Sequence, residues 1–411
     1  MKYIKTNLTF FKRQLKTSVI VLFMVGSVLA VDGRDINFQD GIHLSDYELN
    51  IWNDPVFKKH FVESYKAETE IEPGVTTDER EQMEEVLELI SSDEMDEAVK
   101  LLLKERNEAA SAVYDFTLAN IYFQNEELNK AAEAYKVAVD KFPKFRRAWS
   151  NLGLIHVRKG EFKKALPALT KVIELGGHKS LTYGLLGYSY ASVENYVSAE
   201  SAYRMAILLD SKTMDWKMGL ARCFFKQERY GEAVSLCKQL VETNPDQSDM
   251  WLLQANAYIG MKKPLKAAEI YELVNHLGKS TPESLNMLGD IYINEELYEM
   301  AVDSYIKAMK LKPENNSDRA IRAAKILAAR AAYDETDKLI NNIKNFYKDD
   351  LPQEDKKELL KLRARMAVAN GSGEEEVKVL KEIVELDPLD GEALILLGQH
   401  YGRKGEIEKA V

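Results

Sequence analysis

Small and apolar residues recur along this chain with a stride of 34. Leu118, Ala119, Tyr122, Ala131, Tyr135, Ala138 and Pro143 are followed at that interval by Leu152, Gly153, His156, Ala165, Leu169, Val172 and Gly177. The next steps land on Leu186, Gly187, Tyr190, Ala199, Tyr203 and Ala206, then on Leu220, Ala221, Phe224, Ala233 and Pro245. Ala255, Tyr258, Ala267 and Tyr271 continue the series, and Leu288, Gly289, Tyr292, Ala301, Tyr305, Ala308 and Pro313 close it. Six units over 112–315 therefore keep one register without an insertion. Each reads as a helix–turn–helix. Small residues at the eighth and twentieth positions allow two helices to cross closely, and the aromatic or apolar residues at the eleventh and twenty-fourth fill the space beside that crossing. Proline near the thirty-second position ends the second helix, because it cannot continue the hydrogen-bond ladder.

This pattern resembles the tetratricopeptide repeat (TPR) family, whose usual tryptophan position is occupied here by Trp149 and Trp251. The resemblance implies an all-α fold, a right-handed superhelical solenoid of hairpins, with the first helices lining its concave face. Positions two, five, six, nine, twelve and thirteen of each unit would then point inward. In this chain they include Phe116, Asn120, Phe123, Arg147, Asn151, Arg158, Tyr188, Arg222, Phe225, Lys226, Asn256 and Asp290. Aromatic rings beside amides and arginines suit an extended peptide, whose backbone pairs with amides and whose side chains are buried on rings. TPR domains that grip chaperone C-termini combine asparagines with cations. Asn120 and Asn151 match those asparagines, but Phe116, Leu181 and Leu185 stand where the cations belong.

The flanking units are less regular. Residues 79–111 read as a first repeat, with Ala98 small and Ser91-x-x-Glu94 opening its second helix as a capping box. Residues 316–356 keep Ala323 but place Glu335 at the second small position, and a loop at Asp349-Asp350-Leu351-Pro352 absorbs the extra length. Spacing resumes over 357–390 with Ala364, Ile383 and Pro388, although Glu376 replaces the small residue. A unit from Gly391, with Leu397, Gly398, Tyr401 and Gly405, stops at Ala410-Val411 in the first turn of its second helix. A solenoid needs a polar capping element, so further sequence is expected beyond residue 411.

The N-terminus carries a different pattern. Lys2, Lys5, Lys12, Arg13 and Lys16 precede an apolar run, Ser18 to Leu29, ending Val28-Leu29-Ala30. That is the composition of a signal peptide over 1–30. The run of about 13 residues is shorter than the roughly 20 needed to span a bilayer. A periplasmic or secreted location is expected, with membrane attachment only if the segment stays uncleaved. Residues 31–78 read as linker and an N-terminal capping helix. Asp54-Pro55 opens that helix, Val56, Phe57, Phe61 and Tyr65 form its apolar face, and Glu72-Pro73-Gly74 is read as linker. Residues 54–65 bear a resemblance to secreted TPR proteins that accompany TonB-type systems, which implies envelope machinery as partner.

Charge narrows the partners. The whole chain has a formal charge of −10. Residues 1–30 hold five basic residues and no acidic one, so the remainder stands at about −15. Such a surface repels phosphate backbones, and nucleic acid is not expected. Gly278-Lys279-Ser280-Thr281 lacks the earlier glycine of a phosphate loop, with Leu273 in its place. The six histidines (His43, His60, His156, His178, His276 and His400) show no metal-ligand spacing, and His156 in an aromatic position reads as a packed ring. Glu374-Glu375-Glu376 reads as a solvated helix start. No catalytic residue, metal or cofactor is expected. The function that follows is an exported scaffold holding a protein or peptide. The alternative is a regulatory or substrate-presenting arm of an enzyme whose catalytic part lies beyond residue 411. Cys223 and Cys237 fall in one unit and are expected as buried thiols rather than a disulfide.

Overall fold

A computed structural model describes residues 70–406, except 93 and 312–316. The expected leader over 1–30 and the helix opened by Asp54-Pro55 lie outside the described residues. Nineteen α-helices and no strand occur among the described residues, so the fold is an all-α helical repeat. The chain divides into two units, residues 1–236 and 237–411.

The first unit holds α1 (Thr77–Ser91), α2 (Met95–Glu105), α3 (Ala112–Gln124), α4 (Leu128–Lys141), α5 (Arg146–Arg158), α6 (Phe162–Glu174), α7 (Ser180–Ser192), α8 (Tyr196–Leu209) and α9 (Met214–Lys226). Helix α10 (Tyr230–Thr243) spans the division. The second unit continues with α11 (Ser248–Gly260), α12 (Pro264–His276), α13 (Pro282–Asn294), α14 (Tyr298–Leu311), α15 (Ser317–Ala329), α16 (Tyr333–Tyr347), α17 (Gln353–Ala369), α18 (Gly373–Leu386) and α19 (Gly391–Arg403).

The hairpins close as their small residues require. Ala131, Ala165 and Ala199 are fully buried in the first unit, as are Ala267 and Ala301 in the second. Within each hairpin of the six regular repeats the turn is made by one left-handed residue. It recurs at Glu126, Gly160, Glu194, Glu228, Lys262 and Glu296, all with φ between 57° and 70°. The amide after it reaches back to a carbonyl of the first helix: Glu127 N to Tyr122 O and Glu161 N to His156 O, both 2.8 Å. This is the six-to-one bond of a helix C-cap, usually served by glycine. Here five of the six are glutamate or lysine, so each pays the left-handed penalty of a β-carbon, ~1 kcal/mol. Trp149 Nε1 donates to Pro143 O, and Trp251 Nε1 to Pro245 O, both at 2.9 Å, which pins the inter-repeat turns at the two tryptophans.

The same marker exposes a slip. The next left-handed residue is Ala331, one residue later than the stride demands. The small buried residue of α16 is therefore Thr336, fully buried with its hydroxyl on Ala332 O, and not Glu335, which lies one place aside, half-buried. Two more expectations need correction. Ser91 is the last residue of α1 and its hydroxyl bonds Glu88 O. Glu94 makes no side-chain cap on α2. The capping box sits at the start of α1, where Thr76 and Glu79 cap each other's amides at 3.3 and 2.8 Å. Between α16 and α17 the extra residues form a short 3₁₀ turn (Lys348–Asp350) and lengthen α17 by a turn. Glu376 does enter the small position of α18 and is buried there beside His400 of α19, Nδ1 to carboxylate 4.0 Å. Cys223 and Cys237 are both buried and no disulfide joins them.

Candidate functional site: the first-helix face of each unit

In the first unit the inner-face amides are already engaged. Tyr135, on the second helix of its hairpin, is fully buried, and its hydroxyl donates to Asn120 Oδ1. Asn151 Nδ2 donates to the same hydroxyl at 2.9 Å and to Asn120 Oδ1 at 3.3 Å. These three groups satisfy one another across two repeats, as buried polar atoms must. Phe116 is 4% exposed, packed on Tyr135 and Phe145 at ring centroid distances of 5.6 and 4.7 Å. Its ring belongs to the core, and what it offers the surface is a floor for Arg147, whose guanidinium lies 5.4 Å above it and 5.9 Å from Phe145. Arg158 stacks similarly on Phe123 at 5.2 Å. Tyr188 is also buried, edge-on to Phe162 at 5.4 Å, and burial pushes its hydroxyl's pKa up. Arg222 and Phe225 are half-buried, with Phe225 against Tyr230 at 5.5 Å, and Lys226 is exposed.

The second unit repeats the tyrosine device. Tyr271 donates to Asn256 Oδ1 and Tyr305 to Asp290 Oδ1, each at 2.5 Å and each fifteen residues apart. Asp290 also takes an ion pair from Arg319. Between α13 and α15 lies a groove of about 340 Å³ lined by Asp290, Ile293, Asn294, Arg319, Arg322, Ala323 and Ile326. Arg322 and Ile326 are exposed in it, and Arg330 holds its rim through Ile293 O at 3.0 Å. Arg319, Arg322 and Ile326 were not among the expected residues. They lie past the slip, where position counting fails. A signal existed in the arginines at 319 and 322, three apart and so on one helix face.

His156 is the packed ring expected at its position, but it has a partner. Nδ1 lies 2.7 Å from Glu161 Oε2, and Lys159 and Lys164 face the same carboxylate at 3.0 and 3.4 Å. Burial lowers the imidazole's pKa, outweighing the carboxylate beside it. Burial alone would raise Glu161, but Lys159, His156 and Lys164 prevail and hold it at about 2. Both folded pKa values lie below the unfolded ones, so both contributions exist at neutral pH and are lost on acidification. Melting temperature is expected to fall first as pH drops below about 6.5, through His156, and again below about 4.5, through Glu161. Thermal melts from pH 8 to 3 check this: His156→Gln flattens the upper step and Glu161→Gln the lower.

No group of three or more His, Cys, Asp or Glu that could hold a metal ion occurs among the described residues, and none of their helices is long and apolar enough to cross a membrane.

Comparison with known proteins agrees with the repeat. A family model described as the tetratricopeptide repeat protein 21 C-terminal ARM domain matches residues 63–250, and a tetratricopeptide repeat model matches 282–315. The matches, with the hairpins, support placing the chain among tetratricopeptide-repeat proteins. Intraflagellar transport protein 70A of Xenopus tropicalis is 25% identical over 155 residues, 38% of this chain and 23% of that protein. Anaphase-promoting complex subunit 3 of Schizosaccharomyces pombe is 23% identical over 185 residues, 44% of this chain and 28% of that protein. The chain thus spans less than a third of the length of either relative. Among solved structures, a tetratricopeptide repeat protein from Parabacteroides merdae aligns with a TM-score of 0.40 at 19% identity, covering 60% of this chain and 97% of that one.

Proposed function

We propose that this chain is an exported scaffold that holds an extended peptide or protein segment on the first-helix face of its repeats. The observation that carries the reading is the groove between α13 and α15. Two guanidinium groups, an amide and exposed Ile326 share one cleft. Guanidinium forks read carboxylates, and the apolar floor takes side chains between them. The names of the relatives above, one a transport protein and one a complex subunit, fit a protein that works by holding others. Export rests on the leader pattern over 1–30, and a periplasmic partner such as a TonB-type system is the finer form of the proposal.

The test uses peptides selected by the chain from a random-sequence display library. Peptides that bind the native protein are expected to lose at least about tenfold in affinity, ~1.4 kcal/mol, with Arg319→Glu and Arg322→Glu together. Selected peptides that bind the double variant equally well would sink the groove as the binding surface. N-terminal sequencing of the protein recovered from the periplasm checks export, which fails if residues 1–30 are retained in a cytoplasmic product.

A further inference from the structure

The segment ahead of α1 does more than link. Residues 70–76 run past the starts of α5 and α3 before entering α1, and each step is held. Ile71 O accepts from Arg146 N at 3.3 Å. Glu72 Oε2 takes both Nε and Nη2 of Arg147, at 2.9 and 2.8 Å. Pro73 is buried, Ser111 Oγ donates to Gly74 O at 2.9 Å, and Val75 packs on the core. Backbone carbonyls are read at residues 71 and 74, and side chains at 72, 73 and 75. That is how an extended peptide is recognised: main-chain bonds supply affinity and alternate side chains supply specificity.

The Glu72 contact has the character of a ligand contact. Its side chain is only 12% exposed, whereas Glu70, two residues away, is 91% exposed beside Lys144 at 3.8 Å. Arg147 is held flat over Phe116 and Phe145, so its fork is oriented before anything binds. A pre-stacked guanidinium loses little freedom on meeting a carboxylate. The start of α5, whose first amide donates to Ile71 O, adds a favourable field for the same negative charge.

We propose that residues 71–75 are an intramolecular ligand, a strap that occupies a carboxylate-reading peptide site made by Arg147, Phe116, Phe145 and Ser111. The partner of that site is an extended acidic peptide of the strap's own kind, a glutamate followed by proline, which gains access by displacing the strap. This rests on the scaffold reading above and deepens it by giving one end of the array a ligand chemistry and a built-in competitor. The strap is continuous with α1 at Thr76, so its effective concentration at the site is high, and a free peptide must compete against it. Apparent affinity for such a peptide is then reduced by the fraction of time the strap is open.

The experiment is a fluorescence-anisotropy titration of the full chain with a labelled peptide of residues 68–75, Glu-Thr-Glu-Ile-Glu-Pro-Gly-Val. The Glu72→Ala chain, with its far-ultraviolet spectrum and melt unchanged, is expected to bind this peptide at least about tenfold tighter than the native chain, as for a strap closed nine-tenths of the time. Adding Arg147→Ala abolishes that gain, and a peptide with alanine in place of its last glutamate, the residue before proline, does not bind. Glu72→Gln, which keeps the side chain's size, gives the same reading should alanine disturb the packing. Equal binding by native and Glu72 variants, or by the two peptides, overturns the strap as a ligand and leaves it a cap on α1. The library peptides that depend on Arg319 and Arg322 separate the two ideas: if they bind while the strap peptide does not, only the strap proposal falls.

Discussion

Tyr203→Ala is expected to lower the stability of the first unit by about 3–5 kcal/mol, the range for emptying a large buried aromatic site. The ring of Tyr203 is 3% exposed and wedged between two glycines of neighbouring first helices. A β-carbon at Gly187 would stand 2.8 Å from it, and one at Gly219 only 2.4 Å. Trp216 stacks alongside at 6.5 Å and itself rests on Gly184, where a β-carbon would meet the indole at 2.3 Å. Three glycines have been hollowed out to seat two rings, so no neighbouring side chain can swing in to fill the void, and the cavity cost is not relieved by collapse. Trp216 fluorescence during urea unfolding measures the shift in midpoint. Tyr203→Phe, which keeps the ring, is expected to cost about 1 kcal/mol. If alanine is as mild as phenylalanine, the ring is not the keystone of that junction.

Asp115→Ala is expected to cost about 3 kcal/mol, for a different reason. Its carboxylate is fully buried between Arg106 Nε at 3.0 Å and Lys141 Nζ at 2.6 Å. Removing one partner of a buried ionic cluster strands the other charges, which is worth about 3–5 kcal/mol. The lower end applies because Arg106 and Lys141 keep 28% and 18% of their side chains exposed and can turn partly toward water. Replacing all three together, Asp115→Leu with Arg106→Met and Lys141→Met, is expected to be near neutral, since the desolvation of three charges disappears with their attraction. Urea midpoints of the single and triple variants decide it; a triple variant weaker than the single one refutes the stranded-charge account.

How much of this was legible beforehand differs by level. The hairpins were, because a close helix crossing tolerates only small residues and Ala131, Ala165, Ala199, Ala267 and Ala301 announce it at a constant interval. The turn residue was not, since Glu126, Glu194, Glu228, Lys262 and Glu296 carry none of the glycine signal that a left-handed position normally shows. That silence hid the slip at Ala331 and led to Glu335 in place of Thr336. Asn120, Asn151, Asn256 and Asp290 could be placed on the first-helix face by counting. That three of them accept a tyrosine hydroxyl, with Asn151 donating to Tyr135, depends on the depth of the hairpin and appears only in three dimensions. Glu72-Pro73-Gly74 reads as linker in the sequence because proline and glycine suggest a turn; what seats it is Arg147, seventy-five residues away.

The tyrosine device also limits how such a face can change. Asn120, Asn256 and Asp290 are each tied to a hydroxyl fifteen residues on, so altering one leaves a buried Tyr135, Tyr271 or Tyr305 without its acceptor. Positions on the ligand side and the supporting side must therefore drift as pairs, and a new specificity there needs two substitutions at once. The repeat with Leu154 and Leu169 at the corresponding places carries no such bond to lose. Divergence among related arrays should accumulate first in repeats of that kind, while the tyrosine-bearing ones stay in step with their partners.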